Sequence, residues 1–482
     1  MAPLIARILL ICLPGLILTS AAIADTPRPR ALLLTGQGEQ SPTRGYPSWH
    51  HDFYNEQIVG LLDELVEVTV TEDLSALTRE NLAGYDLIIN NSLFRTPSAA
   101  QFDAFYDFIE QGKSYLALHT GLVTFLNSPR YSQLIGGYFL GWDGRKNLDV
   151  HTFDAWYGYD YNDQVQHPIV RSMPNFALKD ELFLMHTNTE DMEVIARAEH
   201  HPVLWLRHWQ KGKVMGLAIG NGREEGANPH YHRLLQNSVR WLVGYPVWEP
   251  LPEARFAENT GAVPAVLNLA DISHHAADET LSFRIADNSA PGLVGARIDN
   301  QQRLHLEFTD NRTGEARINI EAQSPDGLVS TAAFVVSVVP EGTGNLAAYH
   351  RVTVQTSSNE FRKFTADPRL MVDGNPSTRW SSAYEDPTWI LLDLGVEQLV
   401  AQVRLQWEGA YGAAYHIEVS EDAQRWRKVF TETNGDGGED VIQFAPIKAR
   451  YLRLNGTKRG TIFGYSLYEF EVYGPAAGDR QP

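Results

Sequence analysis

The stretch YLALHTGLV, residues 115–123, is an apolar run that ends at His119 and a Thr-Gly pair. A short continuous apolar run that closes on a turn residue is typical of a fully buried β-strand. His119 would then follow the strand at its carboxyl end. There it either takes part in chemistry or only ends a core strand.

Strand-like and helix-like segments alternate around this stretch, from residue 29 to about 245. The segments RALLLTG, VEVTVTED and YDLIINNS predict strands, and FYNEQIVGLLDEL has helical spacing. TPSAAQFDAFYDFIEQG predicts a helix with Thr96 as its N-cap, Pro97 in its first turn and Gly112 at its end. This alternation predicts a mainly parallel, doubly wound α/β sheet, whose sites lie beyond the carboxyl ends of the strands.

The first 24 residues have the features of an export signal. Arg7 provides a positive start, ILLICLPGLIL an apolar centre, and residues 22–24 an A-x-A cleavage site. We expect cleavage near Ala24 and an exported protein, in the periplasm, outside the cell or at its surface. The single cysteine, Cys12, lies in this segment. The mature chain would therefore contain no disulfide, no thiol nucleophile and no Cys-ligated metal.

The composition indicates a multidomain globular protein that binds neither nucleic acid nor anionic membranes. The 482 residues are 43% hydrophobic and 21% charged, which is enough chain for about three domains. The net charge of −19 repels polyanions and leaves uncharged or cationic ligands open. The 11 Trp, 20 Tyr and 20 Phe residues suit stacking on sugars and equally suit the filling of cores.

The sequence texture changes after the Pro-rich segment GYPVWEPLPEARF. Short alternating apolar runs, separated by Asp, Asn, Gly and Pro, then predict a small β-sandwich. A second linker, PEGTGN, precedes another all-β segment. The predicted organisation is a signal peptide (1–24), an α/β domain (29–245) and two β-sandwich domains (254–340 and 345–475).

The last segment carries an ordered series of motifs, namely MVDGNPSTRWSS, WILLDLG, VRLQWEGAYGAAYHIEVSEDAQRW, ARYLRLNG and YSLYEFEVYG. Together they resemble a discoidin (coagulation factor 5/8 type C) domain, and within that family the bacterial carbohydrate-binding module family 32. The resemblance spans the whole segment. It implies a jelly-roll β-sandwich that binds carbohydrate and holds one structural calcium ion.

Residues that could hold this calcium ion are present. In DGNPST, Asp373, Asn375 and Thr378 lie around a glycine turn, and Glu469 near the end of the domain could complete the cage of oxygen ligands. An Asx-type turn without metal is the alternative.

Sugar contacts in the discoidin family come from variable loops. The resemblance makes Tyr384, Trp389 and Phe463 the candidate sugar-binding residues, with polar contacts from Arg379 or Glu385. The middle segment, through LNLADISHHAADETLSFRI and GEARINIEAQSPDG, resembles the cadherin-like or immunoglobulin-like domains of secreted bacterial proteins. That resemblance implies a spacer.

The α/β segment resembles the ThuA-like (trehalose utilisation) family, which has the fold of class I glutamine amidotransferases. The matching segments run in order through nearly all of residues 29–245: ALLLTGQG, YDLIINNS, QFDAFYDFIEQGKSYLALHTG, LIGGYF, HPIVRSMPNFALKDELF, PVLWLRHWQKGKVMGLAIGNG and LLQNSVRWLVG. The resemblance implies sugar metabolism, of trehalose-like or 3-keto glycosides.

The same resemblance gives His119 a position. In class I amidotransferases the strand that matches SYLALHTG ends in a sharp G-x-C-x-G elbow, which exposes a nucleophilic cysteine. Here histidine replaces that cysteine, as is usual in ThuA-like proteins. Glutamine amidotransfer by the usual route is excluded because the mature chain would have no thiol. His119 becomes the first candidate catalytic residue.

Other polar residues extend this candidate site, since eleven of the sixteen histidines lie between residues 50 and 232. Histidines and carboxylates supply acid–base groups, or ligands for a divalent metal with an open coordination position. Simple surface exposure is the alternative for each of them. The further candidate catalytic residues are His51, His151, His167 and Glu181. The candidate substrate-binding residues are Trp49, His50 and Asn221.

Three residues of this region have specific predicted positions or replacements. HTFDAWYGYD predicts a strand that begins at His151, and Asp180 is interpreted as a turn residue or helix cap. Asn221 replaces a histidine that commonly follows the matching strand in ThuA-like proteins. This departure argues for altered specificity or for an inactive site.

Two functions are consistent with the sequence. The first is an exported carbohydrate-active enzyme, with lyase, hydrolase or isomerase chemistry on a sugar, glycoside or keto-glycoside, targeted to glycan by the discoidin domain. Its chemistry would be proton abstraction or β-elimination next to a keto group with His119 as base, or hydrolysis with a bound metal or water. The second is a non-catalytic glycan-binding or adhesion protein with a degenerate ThuA-like domain, which Asn221 and the tandem β domains favour.

Overall fold

The computed structural model describes residues 28–39, 52–152, 167–171, 173–188, 191–222, 224, 227–360 and 365–475. The predicted signal peptide and the candidate site residues Trp49, His50 and His51 lie outside the described residues. Among the described residues, no helix has the length and apolar character that crossing a membrane requires.

The N-terminal domain is built on one nine-stranded sheet of described residues. Its strands are β1 (Arg30–Leu34), β2 (Glu67–Thr71), β3 (Leu87–Asn90), β4 (Ser114–Leu118), β5 (Gly137–His151), β6 (Phe176–Thr187), β7 (Glu193–Ala198), β8 (His201–Trp209) and β9 (Gly212–Leu217). Their order across the sheet is β2-β1-β3-β4-β9-β8-β7-β5-β6. The apolar run of residues 115–118 forms most of β4, near the middle of the sheet.

The strand directions divide this sheet into two halves. Strands β2, β1, β3, β4 and β9 are parallel, and the pairings from β9 to β6 are antiparallel. The expectation of a mainly parallel sheet is therefore right only for the half that contains β4. The other half differs because a two-residue turn joins β8 to β9, and only antiparallel neighbours can be connected so briefly.

Five described helices cover both faces of the sheet: α1 (Asp52–Leu62), α2 (Arg79–Leu82), α3 (Ala99–Glu110), α4 (Pro129–Ile135) and α5 (Pro229–Val243). Alternate residues of β1 enter opposite cores, since Leu33 packs with α1 and α5 whereas Leu32 packs with α2, α3 and α4. This arrangement confirms the doubly wound α/β fold.

Helix α3 begins two residues later than its sequence suggests. Ser98, rather than Thr96, is the N-cap, and it forms a reciprocal capping box with Gln101. Gln101 is the third residue after Ser98, and only at this spacing can its side chain accept a hydrogen bond from the backbone amide of the N-cap. This contact decides where the helix starts. The predicted end is right, because the helix stops at Glu110 and Gly112 follows with a φ of +111°.

The middle segment is a sandwich of two sheets. Strands β11 (Ala254–Ala257), β14 (Ser282–Asn288), β17 (Gly314–Gln323) and β18 (Val329–Val339) form the order β11-β18-β17-β14, and β12 (Ala262–Asn268), β15 (Val294–Ile298) and β16 (Arg303–Phe308) form β12-β16-β15. Phe256, Phe308 and Phe334 belong to the core between them. A short pair, β10 (Val247–Trp248) with β13 (Ser273–His274), joins this sandwich to the first domain. Its relation to cadherin-like or immunoglobulin-like domains stays a prediction.

The C-terminal segment is built mainly of β-strands. Its strands are β19 (Thr353–Thr356), β20 (Trp380–Ser381), β21 (Thr388–Trp407), β22 (Gly412–Ser420), β23 (Arg427–Glu432), β24 (Glu439–Arg459) and β25 (Ser466–Tyr473). The long strands β21 and β24 pair along most of their length with two register shifts, and β21 also pairs with β19 and β25. The shifts let these strands bend around one core that includes Trp380, Trp407 and Phe470.

Candidate functional site

The turn after β4 holds His119 in an unusual backbone conformation. His119 begins a 3-10 turn, His119–Val123, with a φ of +41°. Residues other than glycine rarely adopt this left-handed region, and such strain is typical of functional sites. Gly121 allows the turn to pack against β3, because a Cβ at this position would lie 1.9 Å from the Asn90 carbonyl oxygen.

Buried polar side chains connect this turn to the end of β3. Ser92 Oγ donates to Asn90 Oδ1 at 2.7 Å and lies 3.0 Å from Thr124 Oγ1. Thr120 Oγ1 donates to Asn91 Oδ1 at 3.2 Å. These hydrogen bonds offset the cost of burying polar groups and fix the two loops to each other.

Two buried amide atoms at the same edge are unsatisfied. Asn55 Nδ2, from α1, donates to Thr35 Oγ1 at 3.0 Å, and the Asn91 backbone amide donates to the Leu34 carbonyl at 2.8 Å. Asn55 Oδ1 and Asn91 Nδ2 have no hydrogen-bond partner among the described residues. Asn55 Oδ1 could therefore accept a hydrogen bond from a polar ligand, and Asn91 Nδ2 could donate one. Neither asparagine was predicted as a site residue, although Asn91 belongs to the polar NNS that closes the apolar run of β3.

Aromatic rings connect His119 to the surface. The His119 ring, on a residue that is only 1% exposed, lies 4.1 Å from the Phe183 ring centroid. Phe183 contacts Phe139 at 5.0 Å, and Phe139 stacks on Trp142 at 6.3 Å with an interplanar angle of 14°. Trp142 is 54% exposed. The paired strands β5 and β6 thus supply an apolar wall that runs from solvent to the histidine.

Asp180 has a different position from the one expected, because it lies within β6 and is neither a turn residue nor a helix cap. Its carboxylate is fully buried. It accepts the Gly220 amide at 2.6 Å and the Glu181 amide at 2.7 Å. Asp180 therefore holds the loop after β9, which contains Asn221, against β6. Charged hydrogen bonds of this kind are among the stronger ones in proteins.

The other candidates of this domain lie in different places. Glu181 follows Asp180 on β6 and is partly buried. His151 is the last residue of β5, so a strand ends rather than begins there, and Asn175 Nδ2 lies 3.2 Å from its Nδ1. The strand predicted after His151 falls mostly outside the described residues.

His167 lies at the opposite end of the sheet from His119. Its ring packs edge-on against Trp241 at 4.6 Å. The carbonyl of Leu242, which follows Trp241, accepts a hydrogen bond at 2.7 Å from Ser114 Oγ. Ser114 is the first residue of β4, whereas His119 follows its last residue. Burial lowers the pKa of His167 to about 4, which keeps its ring neutral. A role in stability fits this environment better than a place beside His119.

A divalent metal in this domain has no described set of ligands. Among the residues that the structure describes, no group of three or more His, Cys, Asp or Glu side chains is arranged to hold a metal ion. The candidate residue His51 lies outside the described residues, so the divalent metal of this domain stays a prediction.

The proposed calcium ligands of the C-terminal domain do come together. Asn375 N and Thr378 Oγ1 both donate to the Asp373 carboxylate, at 2.8 Å each. Glu469 is 3% exposed, and neither of its oxygens has a hydrogen-bond partner of normal geometry among the described residues. Burial and the nearby Asp373 and Glu471 raise the pKa of Glu469 to about 8. A buried carboxylate beside a second one fits a hard cation with oxygen ligands.

The candidate sugar-binding residues form an exposed aromatic surface in part. Tyr384 and Phe463 are 42% and 49% exposed, and their rings meet edge to face at 5.9 Å. Tyr384 Oη donates to Glu360 Oε1 at 2.8 Å. Trp389 is also exposed, but no ring contact joins it to this pair among the described residues.

Two further residues, which the sequence analysis did not single out, fix the loops that carry this pair. Asp386 binds Arg459 at 3.2 Å and accepts the Tyr465 hydroxyl at 2.5 Å, while Arg459 donates to the Phe463 carbonyl at 3.2 Å. The predicted polar contact Arg379 is partly buried and donates to Ser466 Oγ at 2.9 Å, so it binds to the first residue of β25. Glu385 is exposed.

Known families match the two outer domains. Residues 44–242 match the family model described as trehalose utilisation (ThuA), and residues 353–470 match the F5/8 type C domain. The chain thus combines a ThuA-like domain with a discoidin domain.

Individual relatives match parts of the chain. The polysaccharide lyase 8 family protein HylA of Enterococcus faecalis is 30% identical over 110 residues, which are 21% of this chain and 8% of that protein. A crystal structure of chitosan-binding module 1 from a Paenibacillus sp. IK-5 chitosanase/glucanase is 46% identical, covers 27% of this chain and 100% of the module, and has a TM-score of 0.26. A ThuA-like protein from Bacteroides uniformis is 21% identical, covers 47% of this chain and 95% of that structure, and has a TM-score of 0.37.

Proposed function

We propose that this is an exported carbohydrate-active enzyme, whose ThuA-like domain acts on a sugar, glycoside or keto-glycoside while its discoidin domain holds it on a glycan. The observation that carries the proposal is the elbow at His119. His119, with a strained backbone, lies at the carboxyl edge of the sheet against an aromatic wall, and the same edge carries two unsatisfied amide atoms. Export rests on residues 1–24, which lie outside the described residues.

The chemistry that fits this elbow is β-elimination next to a keto group. The neutral His119 imidazole takes the proton from the carbon beside the keto group, and the electron pair of that C–H bond moves to the oxygen as an enolate. Asn91 Nδ2, a buried donor, would stabilise that oxygen. The enolate then re-forms the keto group and expels the glycosidic oxygen from the β-carbon. The expelled oxygen takes up a proton and leaves as an alcohol.

The aromatic wall suits a sugar substrate. Trp142 presents a half-exposed ring at the mouth of the site, and the apolar face of a pyranose stacks well on such a ring. Phe139 and Phe183 continue the wall inward to His119. Since these rings carry no charge, they favour neutral sugars over charged ones.

The discoidin domain contributes binding. Tyr384 and Phe463 give an exposed aromatic pair for a sugar ring. We propose that calcium, bound through Asp373, Asn375, Thr378 and Glu469, fixes the loop DGNPST against β25 and acts in structure rather than in chemistry.

Asn221 supports a second function, non-catalytic glycan binding. It stands in the loop that Asp180 holds against β6, where it brings an amide in place of an imidazole. An amide cannot exchange a proton near neutral pH, so Asn221 can bind a ligand but cannot act as acid or base.

Turnover and binding distinguish the two functions. The purified mature protein is incubated with native and oxidised disaccharides, products are followed by mass spectrometry, and binding to the same sugars is measured by calorimetry. Products from an oxidised disaccharide support the enzyme. Saturable binding with no product from any sugar supports the binding protein.

A further inference from the structure

The second linker joins the middle sandwich to the discoidin domain. Its residues, 340–345, include a proline and two glycines, a composition typical of flexible connections. Relative motion is also the usual expectation for neighbouring domains, unless the interface between them is large and apolar. In the structure, however, this linker is bound to both domains.

One strand contributes to the cores of both domains. Phe256 on β11 belongs to the core of the sandwich, whereas the next residue, Ala257, is 3% exposed and belongs to the core of the discoidin domain. Ala257 pairs with Val339, the last residue of β18, which also packs against the discoidin core. The two domains therefore share apolar packing at the ends of β11 and β18.

Tyr349, near the start of the discoidin domain, connects the linker to the sandwich. Its hydroxyl donates to the Thr343 carbonyl at 3.0 Å, and Arg255 of β11 donates to the same carbonyl at 3.0 Å. The Arg255 and Arg351 guanidinium groups lie 5.4 Å and 4.8 Å from the centroid of the Tyr349 ring, within the range of cation–π attraction. The His350 amide also donates to the Arg255 carbonyl at 2.8 Å. Tyr349 is thus held from both domains.

Glu341 binds the linker to the discoidin domain. Its carboxylate accepts two hydrogen bonds from Arg351, at 2.9 Å and 2.5 Å, and a third from Gln398 of β21 at 2.5 Å. Arg351 Nε donates to the Leu394 carbonyl of β21 at 3.0 Å. Two parallel hydrogen bonds to a carboxylate fix a planar guanidinium group in one orientation. Arg351 is therefore held between the linker, the Tyr349 ring and β21.

Hinge motion at the linker glycines is the simpler expectation. Gly342 and Gly344 have φ of +75° and +68°, in the left-handed region that glycine adopts readily. The residues around these glycines are nevertheless bound, because Glu341 contacts β21, Thr343 contacts β11, and Asn345 accepts a backbone amide of β25 at 3.0 Å. Rotation at either glycine would break at least one of these contacts and would also disrupt the shared apolar packing.

We infer that the middle sandwich and the discoidin domain form one rigid body, held by the shared packing and by a clasp of Arg255, Glu341, Tyr349 and Arg351. The sandwich is then a stiff arm rather than a flexible spacer. It fixes the direction in which the discoidin domain presents its exposed aromatic pair, so a glycan held by that pair keeps one orientation relative to the sandwich. The rigid body does not depend on the function proposed for the His119 elbow.

Distances between spin labels on the two domains test this inference. Pulsed electron paramagnetic resonance is applied to the full-length protein, with labels on cysteines introduced at the exposed positions Gln301 of the sandwich and Gln424 of the discoidin domain. Cys12→Ser removes the single native cysteine. A second pair of labels, at Gln301 and the exposed Glu315 of the same sandwich, gives the width of a distance distribution within one domain. We expect the distribution between the domains to be as narrow as this reference.

Two substitutions test whether the clasp holds the joint. Arg351→Gln removes the ion pair with Glu341 and the cation that faces the Tyr349 ring, so it should broaden the distribution between the domains. Arg425→Gln removes an exposed ion pair with Asp422 in the same domain and should leave the width unchanged.

Thermal unfolding of each variant confirms that it is folded. If Arg351→Gln does not fold, Glu341→Gln weakens the same clasp from the linker and should also broaden the distribution. The inference is overturned if the distribution between the domains is broader than the reference before any change to the clasp, or if the folded clasp variant is no broader than Arg425→Gln.

Discussion

At the scale of single residues, the turn after β4 combines backbone strain with a close contact. The φ of +41° at His119 costs roughly 1 kcal/mol or more in free energy of folding. Buried hydrogen bonds join Asn90, Ser92 and Thr124 beside this turn, and the Phe183 ring packs on His119. These contacts offset the strain.

Gly121→Ala tests the close contact. A Cβ at 121 would lie 1.9 Å from the Asn90 carbonyl oxygen, whereas a Cβ at Gly141 would meet nothing within 4 Å. We expect Gly121→Ala to lower the free energy of unfolding of the first domain by about 2 kcal/mol or more, and Gly141→Ala to change it by less than about 1 kcal/mol. Urea unfolding measures both, and equal effects would contradict the packing described here.

Glu469→Gln tests the calcium proposal. Calcium should raise the unfolding temperature of the wild type, and a chelator should reverse this rise. The substitution removes one charged ligand, so calcium affinity measured by calorimetry should fall about tenfold or more. Glu397→Gln, which changes an exposed partner of Lys448, is the matched control. Unchanged calcium affinity in Glu469→Gln would remove Glu469 from the ligand set.

His167 should make stability depend on pH. Its pKa is about 4 in the folded protein and about 6.5 in the unfolded chain. Between these values the unfolded state binds more protons, so stability that is complete above pH 6.5 is lost as the pH falls toward 4, by about 3 kcal/mol at most. Urea unfolding at pH 7, 5 and 4 should show a smaller loss for His167→Gln and an unchanged loss for the exposed His208→Gln. A loss in His167→Gln equal to that of the wild type would assign the effect to other groups.

The sequence could place some of these residues and not others. His119 was predictable because an apolar run and a turn define a strand end locally. The role of Asp180 was not, because its partner Gly220 lies forty residues away along the chain, in the loop after β9. The position of His167 likewise depends on the packing of α5 against the far end of β4.

At the scale of elements, the start of α3 is decided by a side-chain contact. Ser98 and Gln101 bond reciprocally, whereas Thr96 is exposed and lies before the helix. Ser98→Ala should therefore cost about 1 kcal/mol in the free energy of unfolding, and Thr96→Ala should cost much less. Urea unfolding of the two variants compares them directly, and a larger effect of Thr96→Ala would restore the cap that the sequence suggested.

The elements themselves were largely predictable, but their pairing was not. Apolar periodicity and punctuation by Gly and Pro locate strands and helices within a short window. The antiparallel half of the first sheet depends on which strands meet, and β5 pairs with both β6 and β7. Such long-range pairings leave little local signal.

At the scale of the whole molecule, the chain joins a ThuA-like domain, a β-sandwich and a discoidin domain by specific contacts. Trp248 Nε1 donates to the Ser330 carbonyl at 3.2 Å, and Ser330 Oγ donates to the Pro246 carbonyl at 2.7 Å. These bonds hold the linker against β18. The linker was visible in the sequence from its prolines, but its contacts with β18 depend on how the two domains pack.

We propose His119 as the base of a carbohydrate-active site, and a comparison of three proteins tests this role. Turnover of oxidised disaccharides is measured for the wild type, His119→Ala and His208→Ala, where His208 is an exposed histidine of β8. Loss of a general base lowers kcat by about 100-fold or more. We therefore expect this loss in His119→Ala and unchanged turnover in His208→Ala. Equal turnover by all three proteins would contradict the assignment of His119.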